Sequence, residues 1–101
     1  MDTKTLISDA KARFNHNSAK AYLAEKYNNK LIIAEQGGLW KADQQTIAFL
    51  QASNVTKLVM IDTFDNPVEV IRNDLLDKLT NVYHSVMYEW HTEWKELESK
   101  R

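Results

Sequence analysis

The chain of 101 residues contains no cysteine, a single proline and two glycines. The missing cysteine removes disulfides, thiolate metal sites and thiol nucleophiles together, and an intracellular setting is the expectation. No charge of one sign dominates: 13 Lys and Arg stand against 14 Asp and Glu, a formal net charge of -1 with a pI near 6.3. There is no global basic field to draw in nucleic acid or an anionic membrane, so nucleic-acid binding would need a local patch. Long apolar runs are missing as well. No segment approaches the roughly 20 apolar residues that span a bilayer, and the opening MDTKTLISDAKARF mixes acids with bases, unlike a secretory signal or a transit peptide. A soluble, cytoplasmic protein with no membrane partner is expected.

What is present is a globular composition, 44% hydrophobic and 27% charged, far from the corner where chains stay disordered. At this length one core buries roughly 60–70% of the unfolded surface, so residues 1–101 should form a single domain.

Asp2 or Thr3 can cap a first helical region, 1–28, in which Leu6, Ile7, Ala10 and Phe14 return at helical spacing and ask for a core. The polar run NHNS at 15–18 competes for backbone hydrogen bonds and should bend or break it before AKAYLAEKY, leaving one helix or two. Asn28 and Asn29 end the region. Leu31, Ile32 and Ile33 begin a short run of strand length, and the paired glycines 37 and 38 supply a tight turn, so Lys30 to Ala42 reads as a hairpin. In 43–52, Asp43 can cap a short helix carrying Ile47 and Leu50, the favoured reading, although Ile47 and Phe49 also alternate as a strand would. Leu58 to Ile61 and Val68 to Arg72 read as a second hairpin, with Asp65 and Asn66 in its turn and Pro67 opening the return strand. From Asn73, a plausible cap, the period becomes 3.6: Leu76, Leu79, Tyr83, Val86, Trp90, Trp94 and Leu97 form one stripe on a helix over 73–98. Such a helix spans about 35–40 Å at about 1.5 Å per residue, too long for a compact domain of this size, so part of it must project, bend or pack on another molecule.

Chemistry finds little purchase. His84 and His91 are seven apart, too far to share a zinc ion on an unbroken helix. Glu89 and Glu93 lie one turn apart and read as a solvated face. Asp62 and Asp65 lack a following calcium-ligand pattern, the glycine pair lacks the spacing of a phosphate loop, and no serine sits in a nucleophile turn. No catalytic residue, metal or cofactor is expected, and the chain reads as a non-enzyme. The aromatic cluster on the last helix instead points to contact, either inside the core or at an interface.

Two resemblances add to this. The order GGLWKADQQTIAFL, KLVMIDTFDNPVEV, a leucine-containing helix and EWHTEW resembles small uncharacterised proteins of T-even-like phages of marine bacteria. That resemblance covers most of the chain and implies a non-enzymatic accessory or assembly protein in the host cytoplasm. Gly38, Asp43 and the apolar run Ile47 to Leu50 are similar to the first motif of Sm-like RNA-binding proteins, and ValIleArgAsnAsp at 70–74 is similar to the second. Thr46, Ile47 and Asn73 depart from those motifs. This second resemblance implies a helix before a strongly bent sheet, ring assembly, and Asp43 and Arg72 lining RNA-binding loops.

The expectation is an α+β fold, a small antiparallel sheet of two hairpins, flat or curled like an Sm or SH3 barrel, flanked by an N-terminal helical segment and a long C-terminal helix. Its function is protein interaction or assembly, with itself or another protein, through a sheet edge or through Tyr83, Val86, Trp90, Trp94 and Leu97. The alternative is an oligomer binding single-stranded RNA through Lys41, Asp43, Lys57, Arg72 and Asn73.

Overall fold

The computed structural model describes the backbone of residues 3–100 and the side chains of residues 8, 10, 11 and 13–100. In chain order the elements are α1 (Thr3–Lys30), β1 (Ile32–Glu35), β2 (Gly38–Lys41), α2 (Gln44–Ala52), β3 (Lys57–Ile61), β4 (Pro67–Ile71) and α3 (Arg72–Ser99). The fold is α+β, two antiparallel hairpins flanked by an N-terminal helix and a long C-terminal one. The hairpins are two separate two-stranded sheets, and the described residues form no closed barrel.

Helix α1 runs unbroken through residues 15–18. Asparagine, histidine and serine inside a helix each cost only about 0.5 kcal/mol relative to alanine, and His16 Nε2 lies 3.4 Å from the Glu98 carboxylate on α3. The expected cap at Asp2 or Thr3 and the apolar positions Leu6 and Ile7 lie outside the described side chains. Further along the same face Ala10 and Phe14 are exposed; among the described side chains of α1 the buried ones are Leu23 and Tyr27, two to four turns later.

The reason is the pairing with α3. Lys30 meets Glu89, Lys26 meets Glu93 and His16 meets Glu98, so the two helices run antiparallel and α3 ends soon after it reaches His16. About 20 Å of α1 therefore extends past the end of α3, at about 1.5 Å per residue. The molecule is elongated, 65 × 24 × 20 Å with a radius of gyration of 19.2 Å, against roughly 13 Å for a compact domain of this length.

Each short element has a local cause. Gln36 and Gly37 both take positive φ, 49° and 79°, in the two-residue loop between β1 and β2, the twist that closes a hairpin tightly. Asp43 Oδ1 accepts the Thr46 N–H at 2.8 Å and starts α2, so 43–52 is a helix, and the strand that the Sm-like resemblance implies for Ile47 to Leu50 is absent. Asp65, at φ 62°, turns the chain from β3 to β4. Helix α3 begins one residue before Asn73, directly from β4. Its N-cap is Ile71, whose apolar side chain makes no cap bond, and the Arg72 N–H donates to Thr56 O at 3.0 Å, continuing the β3–β4 ladder.

One core joins these parts: Leu23, Tyr27 and Leu31 from the α1 end, Trp40 and Ala42 from the first hairpin, Leu50 from α2, Val70 from β4, and Leu75, Leu79 and Val86 from α3. Leu58, Met60 and Val68 cover it from the inner face of the second hairpin.

Candidate functional site

Two knots hold the surface in place, and both are made of residues with chemistry to offer. The first is Asp62, buried at the end of β3. Its Oδ1 accepts the N–H groups of Phe64 (2.9 Å) and Asn66 (3.0 Å), and its Oδ2 accepts the N–H of Leu39 at 3.1 Å. The backbone bonds from Asn66, Leu39 and Phe64 hold the Asp62 carboxyl below its usual range. With the Thr63 N–H donating to Leu39 O at 2.9 Å, one carboxylate both shapes the β3–β4 turn and ties the two hairpins together.

The second knot clips α1 to α3. Glu93 Oε1 accepts from Lys26 Nζ at 2.7 Å and from the Tyr27 hydroxyl. These two bonds lower the Glu93 pKa, and the same carboxylate raises that of Lys26 and of Tyr27. Lys30 Nζ donates to Glu89 Oε2 at 3.0 Å. The Tyr27 ring stacks on Trp90 with centroids 5.9 Å apart, and the ammonium groups of Lys26 and Lys30 lie 5.1 and 5.2 Å from its centroid. Glu89 and Glu93, a solvated face on sequence grounds, are the acidic half of a helix clamp. Sequence could have found them by matching the i, i+4 acids of α3 against the i, i+4 lysines 26 and 30 of α1.

In both knots every carboxylate oxygen named accepts from a donor of the same chain. Among the described residues no group of three or more His, Asp or Glu side chains is placed to hold a metal ion. His84 is exposed beside Tyr83, and His91 is exposed and stacked on Trp94.

The RNA candidates are divided. Asp43 caps α2. Arg72 is committed to backbone: Nε donates to Val55 O and a terminal nitrogen to Leu50 O, both at 3.0 Å, which closes the C-terminal end of α2. Lys57 stands across from Ile71, beside Arg72 and Asn73. Lys41, by contrast, lines a groove beside Ile61 and Thr63 at the other end of β3. Within one chain Arg72 therefore stands near Lys57 and not near Lys41, because the hairpin length separates them.

The interface candidates on α3 are used mostly inside the chain. Val86 is buried, and Tyr83, Trp90 and Leu97 pack on the core. The Tyr83 hydroxyl also accepts from Gln44 Nε2 at 2.7 Å, joining α2 to α3. α1 supplies the wall that these residues need. Trp94 alone stays outside, 38% exposed.

Exposed apolar side chains lie at several places, among them Phe14 and Tyr22 on α1, Phe49 on α2 and Tyr88 on α3, and several fall on the outer face of the second hairpin. Val59 and Ile61 on β3 are 61% and 60% exposed, Phe64 in the turn is 70% exposed, and Ile71 and Pro67 on β4 share that face. Inward residues of the same strands cover the core, and alternation turns Val59, Ile61, Pro67 and Ile71 to water together with the charged Lys57 and Glu69. No family model matches this chain, and neither a curated protein nor a solved structure does.

Proposed function

We propose that this protein is a non-catalytic interaction and assembly module that oligomerises through its second hairpin, in the accessory role that the phage resemblance implies. The observation that carries the reading is the group of exposed apolar residues on a braced hairpin: Val59, Ile61 and Pro67 on its outer face, Phe64 in its turn, and Ile71 set apart by Lys57 and Glu69. Grouped exposed apolar side chains rimmed by polar residues mark contact sites. The bracing matters too: Asp62 and Gln36 hold the hairpin against the rest of the molecule, so the face is presented with little ordering cost on binding.

The test is the mass in solution by light scattering across concentration. The wild type should exceed the 11.8 kDa of one chain as concentration rises. Val59→Lys should return it to one chain with an unchanged circular dichroism spectrum, while Trp94→Ala should leave assembly intact. Dissociation by Trp94→Ala and not by Val59→Lys would move the contact to α3, and a wild type that stays a single chain up to about 1 mM would overturn self-assembly.

A further inference from the structure

The two edges of the second hairpin are treated differently by the rest of the chain. Leu58 pairs with Val70 and Met60 with Val68, and the flanking bonds from Arg72 N–H to Thr56 O and from Asp62 N–H to Asn66 O make the even-numbered residues of β3 the ones bonded to β4. The N–H and C=O groups of Lys57, Val59 and Ile61 therefore point away from β4. On β4 the outward residues are Pro67, Glu69 and Ile71. Pro67 has no N–H to offer. Ile71 is already satisfied, since Gln36 Oε1 accepts its N–H at 2.7 Å and Gln36 Nε2 donates to its carbonyl at 3.2 Å. That edge is closed at both ends. β3 has no proline and no bulge, and among the described residues no side chain is bonded along it; Lys57, at its start, is its one blunting residue.

We propose that β3 pairs with β3 of a second copy of this chain, antiparallel about a two-fold axis through Val59, to form one continuous sheet in the order β4, β3, β3, β4. The inference rests on the assembly reading above and names its partner. Its support is symmetry. The outward residues 57, 59 and 61 are evenly placed about 59, so the rotation sets Val59 against the second copy's Val59 and Lys57 against the second copy's Ile61. Every outward N–H and C=O of the strand then has a partner, which is the self-complementarity that a closed two-fold contact requires. Val59 and Ile61, exposed in one chain, become cross-strand neighbours on one face.

The pairing is confined to residues 57–61, because just beyond the strand the Thr63 N–H is already donated to Leu39 O at 2.9 Å. A net charge of -1 leaves little long-range repulsion between copies. A strand of this length is far short of the roughly 20–30 residues a side of a standard interface, so the dimer is a weak one, with a Kd of about 10⁻⁵ to 10⁻³ M.

Because the chain has no cysteine, single-cysteine variants report the register without background. Opposed residues of a bonded antiparallel pair have Cα atoms about 5.5 Å apart, within disulfide reach. Under mild oxidation Val59→Cys should give a covalent dimer on its own. Lys57→Cys and Ile61→Cys should each stay monomeric alone and cross-link when mixed. Glu69→Cys, on the same face of β4, should give no dimer. Cross-linking of Lys57→Cys alone as readily as Val59→Cys, or no cross-link in the mixture, overturns the register. If the wild type still assembles and Val59→Lys still dissolves it, the assembly reading survives that failure. A wild type that is one chain at every concentration overturns both, and a foreign strand bound to single chains overturns self-pairing alone.

Discussion

A methyl group placed at Gly38 would sit 2.6 Å from Cζ2 of Trp40 and 2.8 Å from Cε2. The indole is folded over this position, two residues along the same face of β2, and its Nε1–H donates to Glu35 O at 2.7 Å. The adjacent Gly37 is different: nothing lies within 4 Å of a Cβ there, and its requirement is the φ of 79°. Two neighbouring glycines thus answer two separate demands. Gly37→Ala should cost about 1–2 kcal/mol from left-handed backbone alone. Gly38→Ala should cost about 1–3 kcal/mol from overpacking and should also shift the Trp40 fluorescence, which Gly37→Ala leaves in place. Urea titration with emission spectra separates the two.

Also at the residue scale, Asp62 and Glu93 set the acid limit of the fold. Both carboxyls are held below their ordinary values, so each contributes stability that is present above its unfolded pKa, near 4, and is lost as the pH falls through the lower folded value. Lys26 and Tyr27 are raised. Their contribution is complete below about pH 10 and is lost as the pH rises through the raised folded values. The urea midpoint should therefore be flat near neutrality and fall at both ends. Asp62→Asn and Glu93→Gln should each lower the neutral midpoint and make the acid fall shallower. An acid limb of unchanged slope in both variants would remove these carboxylates as its cause.

Among the elements, helix α1 divides into a docked half and an overhanging one. Phe14, 70% exposed, belongs to the second; Leu23, buried against α3, to the first. Phe14→Ser should change stability by no more than about 0.5 kcal/mol, and Leu23→Ala should cost about 2–5 kcal/mol, as measured by thermal or urea unfolding. Periodicity marked Phe14 as part of a face that asks for a core, since a repeat of apolar positions says that a face wants a partner, not where the partner stops. The same limit explains α3, where the stripe was legible but its most buried member near the start is Leu75 rather than Leu76; helix rotation is decided by what lies opposite. The hairpins were legible because their turns need particular residues: Gly37 and Asp65 stand at positive φ. Asp43 was legible as a cap for the same local reason.

For the whole molecule, the elongated shape follows from two helices of 28 residues each clasping only part of their lengths. The aromatic stripe of α3 spends itself on that clasp, with Trp90 against Tyr27. The exposed apolar residues of the second hairpin lie outside that clasp, and the assembly proposed above would draw on them. The weak dimer proposed above should form without any change in helix content, and circular dichroism recorded across the dimerisation range checks it.

The sequence by itself determined the two hairpins and the last helix, because turns and the change of period from 2 to 3.6 depend on residues within a few positions of one another; it left open one N-terminal helix or two, and helix or strand for 43–52. It also determined the absence of thiol chemistry and of a strong charge field, which depend on composition alone. Tertiary structure decided which apolar faces are buried, that Glu93 is a clamp rather than a solvated acid, that Asp62 is a knot joining two hairpins, and that Gln36 closes one sheet edge while β3 stays open. These depend on pairs separated by 23 to 67 positions, and the geometry that brings such pairs together exists only after the core has packed.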